Sequence, residues 1–511
     1  MDQERDRMRS DPEDAQRATI DFLKAQLGGE VDEIRTHISV LLIGQNIVWK
    51  LKRAVALPYL DFSSVEARLA DCERELRLNR RTAPSMYRRV IRVTRNEEGL
   101  ALDGGGELVD AVVEMARFPA DALFERMAKE GRLSADLLTR LANRIADLHE
   151  QAPADRKVSG AARVRSVMEG NERALREGSG VFEPPAVEDY CARSRKALEA
   201  SAPLLDARAA AGAVVLGHGD LHLANVCLWE GEPTLFDCLE FDDELATVDR
   251  LYDLAFLLMD FWRLGLKAEA NLVMNRYLDR IGDETGLGLL PLFLSMRAAV
   301  RAHVTARQAG GDPALGEKAR GYLDLAVRLL DPAPALLLAI GGFSGSGKST
   351  IAASVAPRIG PAPGARIVAT DRIRKALFGV AAQVRLPAEA YREETTREVY
   401  RRMAGKAGEA LAAGHAVVAE ATFATAEARA AIAAAAPPGV AFQGVWLDAD
   451  PAKLAARIAA RRGDVSDADQ SVLAAQLARG AGEVAWTHVD AARDAAEVTA
   501  EIAEALPRAG A

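Results

Sequence analysis

Two kinds of hydrophobic patterning divide this chain. Residues 1–18 are nearly all polar, so a tail or a frayed helix is expected there. From His37 the apolar positions fall into short runs. HISVLLI, a Gly44-Gln45-Asn46 turn and IVWKLK predict a β-hairpin. DFSSVEARLADCERELRLNRR then has helical spacing, with Ser63 or Ser64 as N-cap. RRVIRVT and LVDAVVEMARF return to strand-like text. From about Ala120 a 3.6-residue period dominates to about Leu330, broken once by VVLGHGDLHLANVCLWEGEPTLFDCLEF, which predicts short strands around a loop.

Asp331-Pro332-Ala333-Pro334 ends the helical run, because proline cannot continue a helix. Beyond it, ALLLAIGGFSGSGKST is an apolar strand opening onto a glycine-rich loop. ARIVATD, HAVVAEATF and VAFQGVWLD then alternate with helical text, the pattern of a parallel α/β sheet. The alanine-rich stretch 424–437 predicts a helix. The expected organisation is a polar tail at 1–18, an α+β domain at 19–330, a linker at 331–335 and an α/β domain with a parallel sheet at 336–511.

Composition narrows the class. Of 511 residues, 49% are hydrophobic and 27% charged, which suits globular domains with substantial cores. The formal charge is 65 − 74 = −9, against the basic footprint of bulk nucleic-acid binding. From Leu336 onward, 20 basic residues nearly balance 19 acidic ones, so the acidity lies in the first part. Cys72, Cys191, Cys227 and Cys238 form no C-x-x-C pair, so free thiols in a reducing compartment are expected. The first residues lack a signal-peptide h-region and no apolar run reaches about 18 residues. A cytoplasmic protein without membrane partners is the expectation.

Two motifs carry chemistry. Gly342-Phe343-Ser344-Gly345-Ser346-Gly347-Lys348-Ser349 satisfies G-x-x-x-x-G-K-[ST] between a strand and a helix. Its glycines let backbone N–H groups converge on phosphate, and the helix starting at Lys348-Ser349-Thr350 aims its positive end at the same anion. Lys348 is placed on the β- and γ-phosphates and the Ser349 hydroxyl on magnesium. Asp371 and Arg374 in TDRIRK follow a strand, where Asp371 suits a base and Arg374 a clamp for an anion; a capping aspartate beside a solvated arginine is the plainer reading. Glu420 ends a strand and suits the magnesium water shell. Arg457, Arg461 and Arg462 precede GDVSDAD; they form either a phosphate lid, with Arg461 preferred, or a solvated basic face.

His218-Gly219-Asp220-Leu221-His222-Leu223-Ala224-Asn225 has the H-x-D-x-x-x-x-N spacing of a kinase catalytic loop. Asp220 would position an acceptor hydroxyl while Asn225 and Asp237, which follows TLF, hold magnesium. Lys50 and Lys52 share one face of IVWKLK; Lys50 is preferred for the phosphates. Glu75 is its preferred helix partner and Glu73 the alternative. The backbone at Glu114–Ala116 is expected to read adenine. Glu240 is a candidate auxiliary metal contact, and His149, His222 and Asp253 receive structural readings.

From His37 to Leu330 the chain resembles the aminoglycoside phosphotransferase and choline kinase-like family, most specifically over 216–260, although the family's protein-kinase cousins carry a G-x-G-x-x-G loop that HISVLLIGQN lacks. From 336 on, GGFSGSGKST, TDRIRK, VVAEATF and RIAARRGDVSDAD resemble AAA_33-type P-loop kinases, related to gluconate kinase, polynucleotide kinase and zeta toxins. That resemblance implies Asp371 as general base; Glu420-Ala421-Thr422 departs from the usual Asp-Ala-Thr. The order of the halves is similar to bifunctional aminoglycoside phosphotransferase/ATP-binding fusions. The implied fold is protein-kinase-like followed by P-loop NTPase. The implied activity is transfer of the γ-phosphoryl group of ATP, with magnesium, to the hydroxyl of a small-molecule acceptor in each module. A nucleotide-dependent regulator, a nucleic-acid 5′-kinase in the second half and a drug-inactivating enzyme are the competing readings.

Overall fold

A computed structural model of the protein describes residues 12–57, 60–178, 180–460 and 466–506. They divide into two compact units. One runs from the described N-terminal residues to Ala154 and includes Val215–Val248; the other holds Asp155–Val214 and the described residues from Asp249 on. The expected linker at 331–335 is irregular and lies inside the second unit, so compactness divides the chain elsewhere than at that linker.

The first unit is built on a six-stranded antiparallel sheet. Its order is Asp32–Arg35, Ser39–Ile43, Ile47–Lys52, Glu107–Ala116, Tyr87–Asn96 and Gly99–Leu102. The predicted hairpin turn is closed by Gly44 N–H donating to Ile47 O at 2.9 Å. Alternation along the strands sorts the side chains. Val40, Leu42, Trp49, Leu51, Ile91, Val93 and Val112 pack with Ile20 and Leu23 of the helix Pro12–Leu27. Met86, Tyr87, Ala111, Val113 and Met115 pack with Cys72 of the helix Val65–Asn79. Ser64 caps that helix, accepting from Ala67 N–H at 3.1 Å.

Residues 1–11 lie outside the described residues, but from Pro12 the expected tail is helix. Its anchor is polar as well as apolar: buried Gln16 donates to Asp110 Oδ2 at 2.8 Å and accepts from Ala54 N–H at 2.8 Å. Gln16, bonded to Lys52 O, Asp110 and Ala54 N–H, joins Ile20 and Leu23 in anchoring a segment that hydropathy left blank.

The second unit joins the helices Gly160–Glu177, Pro184–Ala211, Arg250–Arg263, Lys267–Ile281, Leu290–Ala309 and Pro313–Arg328 to a five-stranded parallel sheet. The sheet order is Arg366–Ala369, Val417–Glu420, Leu336–Gly341, Ala441–Asp448 and Thr487–Asp490. Leu338, Ile340, Val418, Val445 and Leu447 form its core with Ile351, Val355, Val498 and Ile502 from the flanking helices. The last strand, THVD, buries only Val489 and so has no hydrophobic signature. Glu284–Ala309 is long and apolar enough by composition to cross a membrane, with a mean hydropathy of 1.2, but 67% of that window is buried inside the protein as a core helix. All four cysteines are buried and free.

Candidate active sites

In the first unit, strand pleating directs both lysines of IVWKLK toward the helix Val65–Asn79. Lys50 Nζ lies 2.8 Å from Glu75 Oε1 and 2.6 Å from Asp237 Oδ1. Lys52 Nζ lies 2.8 Å from Asp71 Oδ2, 2.7 Å from Glu75 Oε2, and in contact with Glu240. Glu75 is therefore the helix partner; Glu73 is 54% exposed and faces Arg92 at 3.6 Å. Both lysines touch Glu75, but of the two only Lys50 is paired with Asp237, whose side chain is 42% exposed. Lys52 is wholly buried, so it is a structural charge beneath the site.

Two lysines meet four carboxylates here, a formal surplus of 2 − 4 = −2. Burial by itself would push the lysines down, yet the charges of Asp237, Glu75 and Glu240 hold Lys50 well above its ordinary range, and Glu240 and Glu75 do the same for Lys52. Burial raises Glu75 and Asp71, because the lysines cannot neutralise every carboxylate. For Glu240 burial is outweighed by Lys52 and Lys50, and its carboxyl falls to about 2. Glu240, the candidate auxiliary metal contact, is thus the counter-charge of Lys52.

The loop between the motifs is held by side chains. Asn225 Nδ2 donates to Asp220 Oδ2 at 2.8 Å and to Asp220 O at 3.0 Å, and Asn225 O accepts from Phe236 N–H at 3.1 Å. His222 Nδ1 accepts from Ala224 N–H at 3.2 Å, which leaves Nε2 facing Asp220 Oδ2 at 3.3 Å. Asp237 sits at φ +59°, a left-handed conformation that is uncommon outside glycine and that aspartate tolerates better than most side chains. Tyr87 Oη accepts its N–H at 3.1 Å, and Asn79 Oδ1 accepts that of Cys238 at 2.9 Å. Gly219 is required nearby: at φ +81°, a Cβ would lie 2.7 Å from Leu239 Cβ. The adenine-reading backbone expected at Glu114–Ala116 is already committed. Glu114 and Met115 pair on both sides within the sheet, and Ala116 N–H donates to Met86 O at 2.8 Å.

In the second unit, the P-loop lines a cavity of about 900 Å³ from Ser344 through Ile351. Gly342, Gly345 and Gly347 have φ of +141°, +87° and +88°; a Cβ on Gly345 would lie 2.6 Å from Leu454 O. Ser344 N–H donates to Gln476 Oε1 at 2.9 Å, Lys348 Nζ to Phe343 O at 3.0 Å, and Ser349 Oγ to Glu420 Oε1 at 2.5 Å. Burial pushes Glu420 up, while Ser349 and Lys348 pull it down. Thr350, Asp371, Arg374 and Arg457 line the same cavity. Arg374 is buried over the Tyr391 ring and donates to Ala390 O at 2.6 Å, so it is no solvated arginine. Arg457 donates to Ala491 O at 2.8 Å. Arg461, the preferred lid residue, and Arg462 lie outside the described residues.

The donor sets fit a hard divalent cation. They are oxygen atoms, and the lysine–carboxylate cluster that includes Asp237 has a formal surplus of two negative charges. Among the described residues no three His, Cys, Asp or Glu side chains form a cage. Magnesium bound to phosphate takes one or two protein ligands and needs no such cage. Sequence reasoning missed Asp71, Asn79 and Tyr87, though the i, i+4 spacing of Asp71 and Glu75 on a helix facing two lysines was a readable signal.

Comparison with known proteins divides the chain into two family segments. Residues 62–288 match the phosphotransferase enzyme family, and 337–481 match the AAA_33 family of AAA domains. The Mycobacterium tuberculosis protein "Uncharacterized protein Rv2004c" is 30% identical over 409 residues, covering 78% of this chain and 80% of its own. The chain belongs to the Rv2004c family. "Uncharacterized protein Mb2027c" of Mycobacterium bovis matches to the same extent. This chain carries an antiparallel-sheet phosphotransferase module followed by a parallel-sheet P-loop module, two kinase-like modules on one chain. Among solved structures, a choline/ethanolamine kinase family protein from Mesorhizobium loti is 14% identical, covering 61% of this chain and 95% of its own, with a TM-score of 0.40. A gluconokinase from Sinorhizobium meliloti is 25% identical, covering 34% of this chain and 96% of its own, with a TM-score of 0.23.

Proposed function

We propose that the protein is a cytoplasmic enzyme with two ATP- and magnesium-dependent phosphotransferase modules, each transferring the γ-phosphoryl group to the hydroxyl of a small-molecule acceptor. The observation that carries this reading is Lys50 held 2.8 Å from Glu75 and 2.6 Å from Asp237, in the unit that also joins Asp220 to Asn225. In the first module Lys50 holds phosphate, Asn225 and Asp237 hold the metal, and Asp220 accepts the proton as the acceptor oxygen attacks phosphorus. In the second, Lys348 and the P-loop N–H groups hold phosphate, Ser349 and Glu420 hold the metal or its water, and Asp371 is the base. Bound magnesium would supply neutralisation of phosphate charge. The protein's own share is positioning and fixed charge, which carry most of the rate in such reactions.

Supporting the second module is the Ser349–Glu420 hydrogen bond: the longer carboxylate at the usual aspartate position still reaches the serine of the P-loop. Burial of Arg374 beside Thr396, in the cavity that Asp371 lines, supports an acceptor end separate from the phosphate end. Magnesium-ATP turnover against pooled sugars, small alcohols, aminoglycosides and 5′-hydroxyl oligonucleotides tests the reading. Acceptor-dependent transfer lost in Asp220→Ala or Lys348→Ala supports it. ATP bound without any transfer would replace it with the nucleotide-dependent regulator.

A further inference from the structure

The strand Arg366–Ala369, which leads directly into Thr370-Asp371, stands at one edge of the five-stranded sheet. On its inner side it pairs with Val417–Glu420. On its outer side lies the helix Lys267–Ile281, which belongs to the segment matching the phosphotransferase family. An uncovered strand edge exposes unpaired N–H and C=O groups, and proteins cover such edges. Here the cover is specific. Asn275 Oδ1 accepts from Ile367 N–H at 2.7 Å while its Nδ2 donates to Ala365 O at 3.2 Å. Accepting from one residue beyond Arg366 and donating to the residue before it is what one residue of a neighbouring parallel strand would do. The carboxamide thus supplies a further rung of the ladder. Asn271 Nδ2 adds a second donor to Ala365 O at 2.9 Å.

One turn further along the same helix, Asp279 gathers three arginines. Arg366 Nη1 lies at 2.7 Å, Arg276 Nη1 at 2.6 Å and Arg372 Nη1 at 3.4 Å. Arg366 is fully buried and also meets Glu284 at 3.1 Å. Arg372 is the neighbour of Asp371 on the helix Thr370–Leu377. One helix of the first family segment therefore grips both the strand that enters the Asp371 position and the helix that leaves it.

We propose that the helix Lys267–Ile281 is the positioning element of the P-loop site, with Asn275 and Asp279 as positioning residues that hold the strand and helix presenting Asp371. The inference rests on the reading of Asp371 as the base of that site. The hydrogen bonds and ion pairs of Asn275 and Asp279 run to Ala365, Arg366, Ile367 and Arg372, so they act through the backbone that carries Asp371. The P-loop module would then be incomplete when cut at the 331–335 linker, and movement of this helix would be felt at its acceptor end.

The test uses the full chain and two readouts. Hydrogen exchange comes first. In Asn275→Ala and in Asp279→Ala, amides of Thr370–Leu377 are expected to exchange at least about tenfold faster, while those of Lys348–Val355 keep their protection. Unchanged exchange at 370–377 in both variants overturns the proposal. So does an equal loss throughout the parallel sheet, which would make the contact a general fold-holding one. Turnover comes second, in an Asp220→Ala background that silences the first module. Arg372→Gln and Asp279→Asn are expected to lower kcat on the order of tenfold with KM for ATP within about twofold, and Asp279→Glu to restore it. Unchanged kcat, or kcat and nucleotide affinity falling together, overturns it. If the Asp220→Ala parent binds ATP but shows no turnover, phosphotransfer by the P-loop module fails instead, and the exchange result alone decides the positioning role.

Discussion

The two candidate sites are built from opposite materials. In the antiparallel unit the candidate site is made of charged side chains paired with one another, Lys50 and Lys52 against Asp71, Glu75, Asp237 and Glu240, with two carboxylates left in formal excess. In the parallel unit the cradle is backbone, made of glycines at positive φ, a helix N-terminus, and a Ser349–Glu420 hydrogen bond. A site of buried charges couples function to stability, because removing one partner strands the others in a low dielectric. A site of backbone N–H groups separates the two, since its donors come from the fold itself. The same substitution type should therefore act differently in the two units.

The largest expected effects are on turnover. Asp220→Ala should lower transfer by the first module on the order of 10³-fold, and Lys348→Ala should do the same to the second, each leaving the other module's rate unchanged. Steady-state assays with each module's acceptor check this; a loss of both rates from either substitution would break the separation. Next is stability. Lys52→Met should destabilise the first unit by about 3–5 kcal/mol, because it leaves Asp71, Glu75 and Glu240 short of a buried cation. Lys348→Met should cost less than about 1 kcal/mol. Unfolding followed by hydrogen exchange reads the two units separately, and equal costs would contradict the contrast.

A pH effect belongs to the parallel unit. His415 is fully buried, and its Nε2–H donates to Gly364 O at 2.9 Å, so Nδ1 is the unprotonated nitrogen and has no partner. Burial holds its pKa down at about 4, below the ordinary 6.5. A depressed folded value means that stability is fully present above pH 6.5 and is lost as pH falls through 4. His415→Gln should remove up to about 3 kcal/mol of that dependence, seen as a flatter stability profile between pH 6.5 and 4. An unchanged slope would refute the assignment. The smallest effect is Tyr87→Phe, which deletes the acceptor for Asp237 N–H and should cost about 1 kcal/mol in the first unit with a modest rise in KM for ATP. No effect on KM would make Tyr87 a packing residue only.

Much of this was written in the sequence where chemistry has a fixed local spacing. The Gly342–Ser349 loop, the Asp220–Asn225 pair and the Ser64 cap all depend on residues within one turn or loop of each other. The hairpin around Gly44-Gln45-Asn46 was readable for the same reason. What stayed hidden depends on distant partners. Helix Pro12–Leu27 is fixed by Gln16 reaching Asp110, and the strand Thr487–Asp490 exists because Ala441–Asp448 offers an edge to pair with. The backbone expected to read adenine is engaged elsewhere: Glu114 and Met115 pair on both sides in the sheet, and Ala116 N–H goes to Met86 O. Arg366 within the apolar run RIVA was the overlooked clue: an arginine inside a buried strand requires buried carboxylates, and Asp279 and Glu284 supply them from another segment.

Counting bound nucleotide tests the two-site account most directly. Calorimetric titration of the full chain with a non-hydrolysable ATP analogue and magnesium should give two nucleotides per chain. Lys348→Ala should leave one, and Lys348→Ala combined with Lys50→Ala should leave none. A single site in the unaltered chain, or two that survive Lys348→Ala, would contradict it.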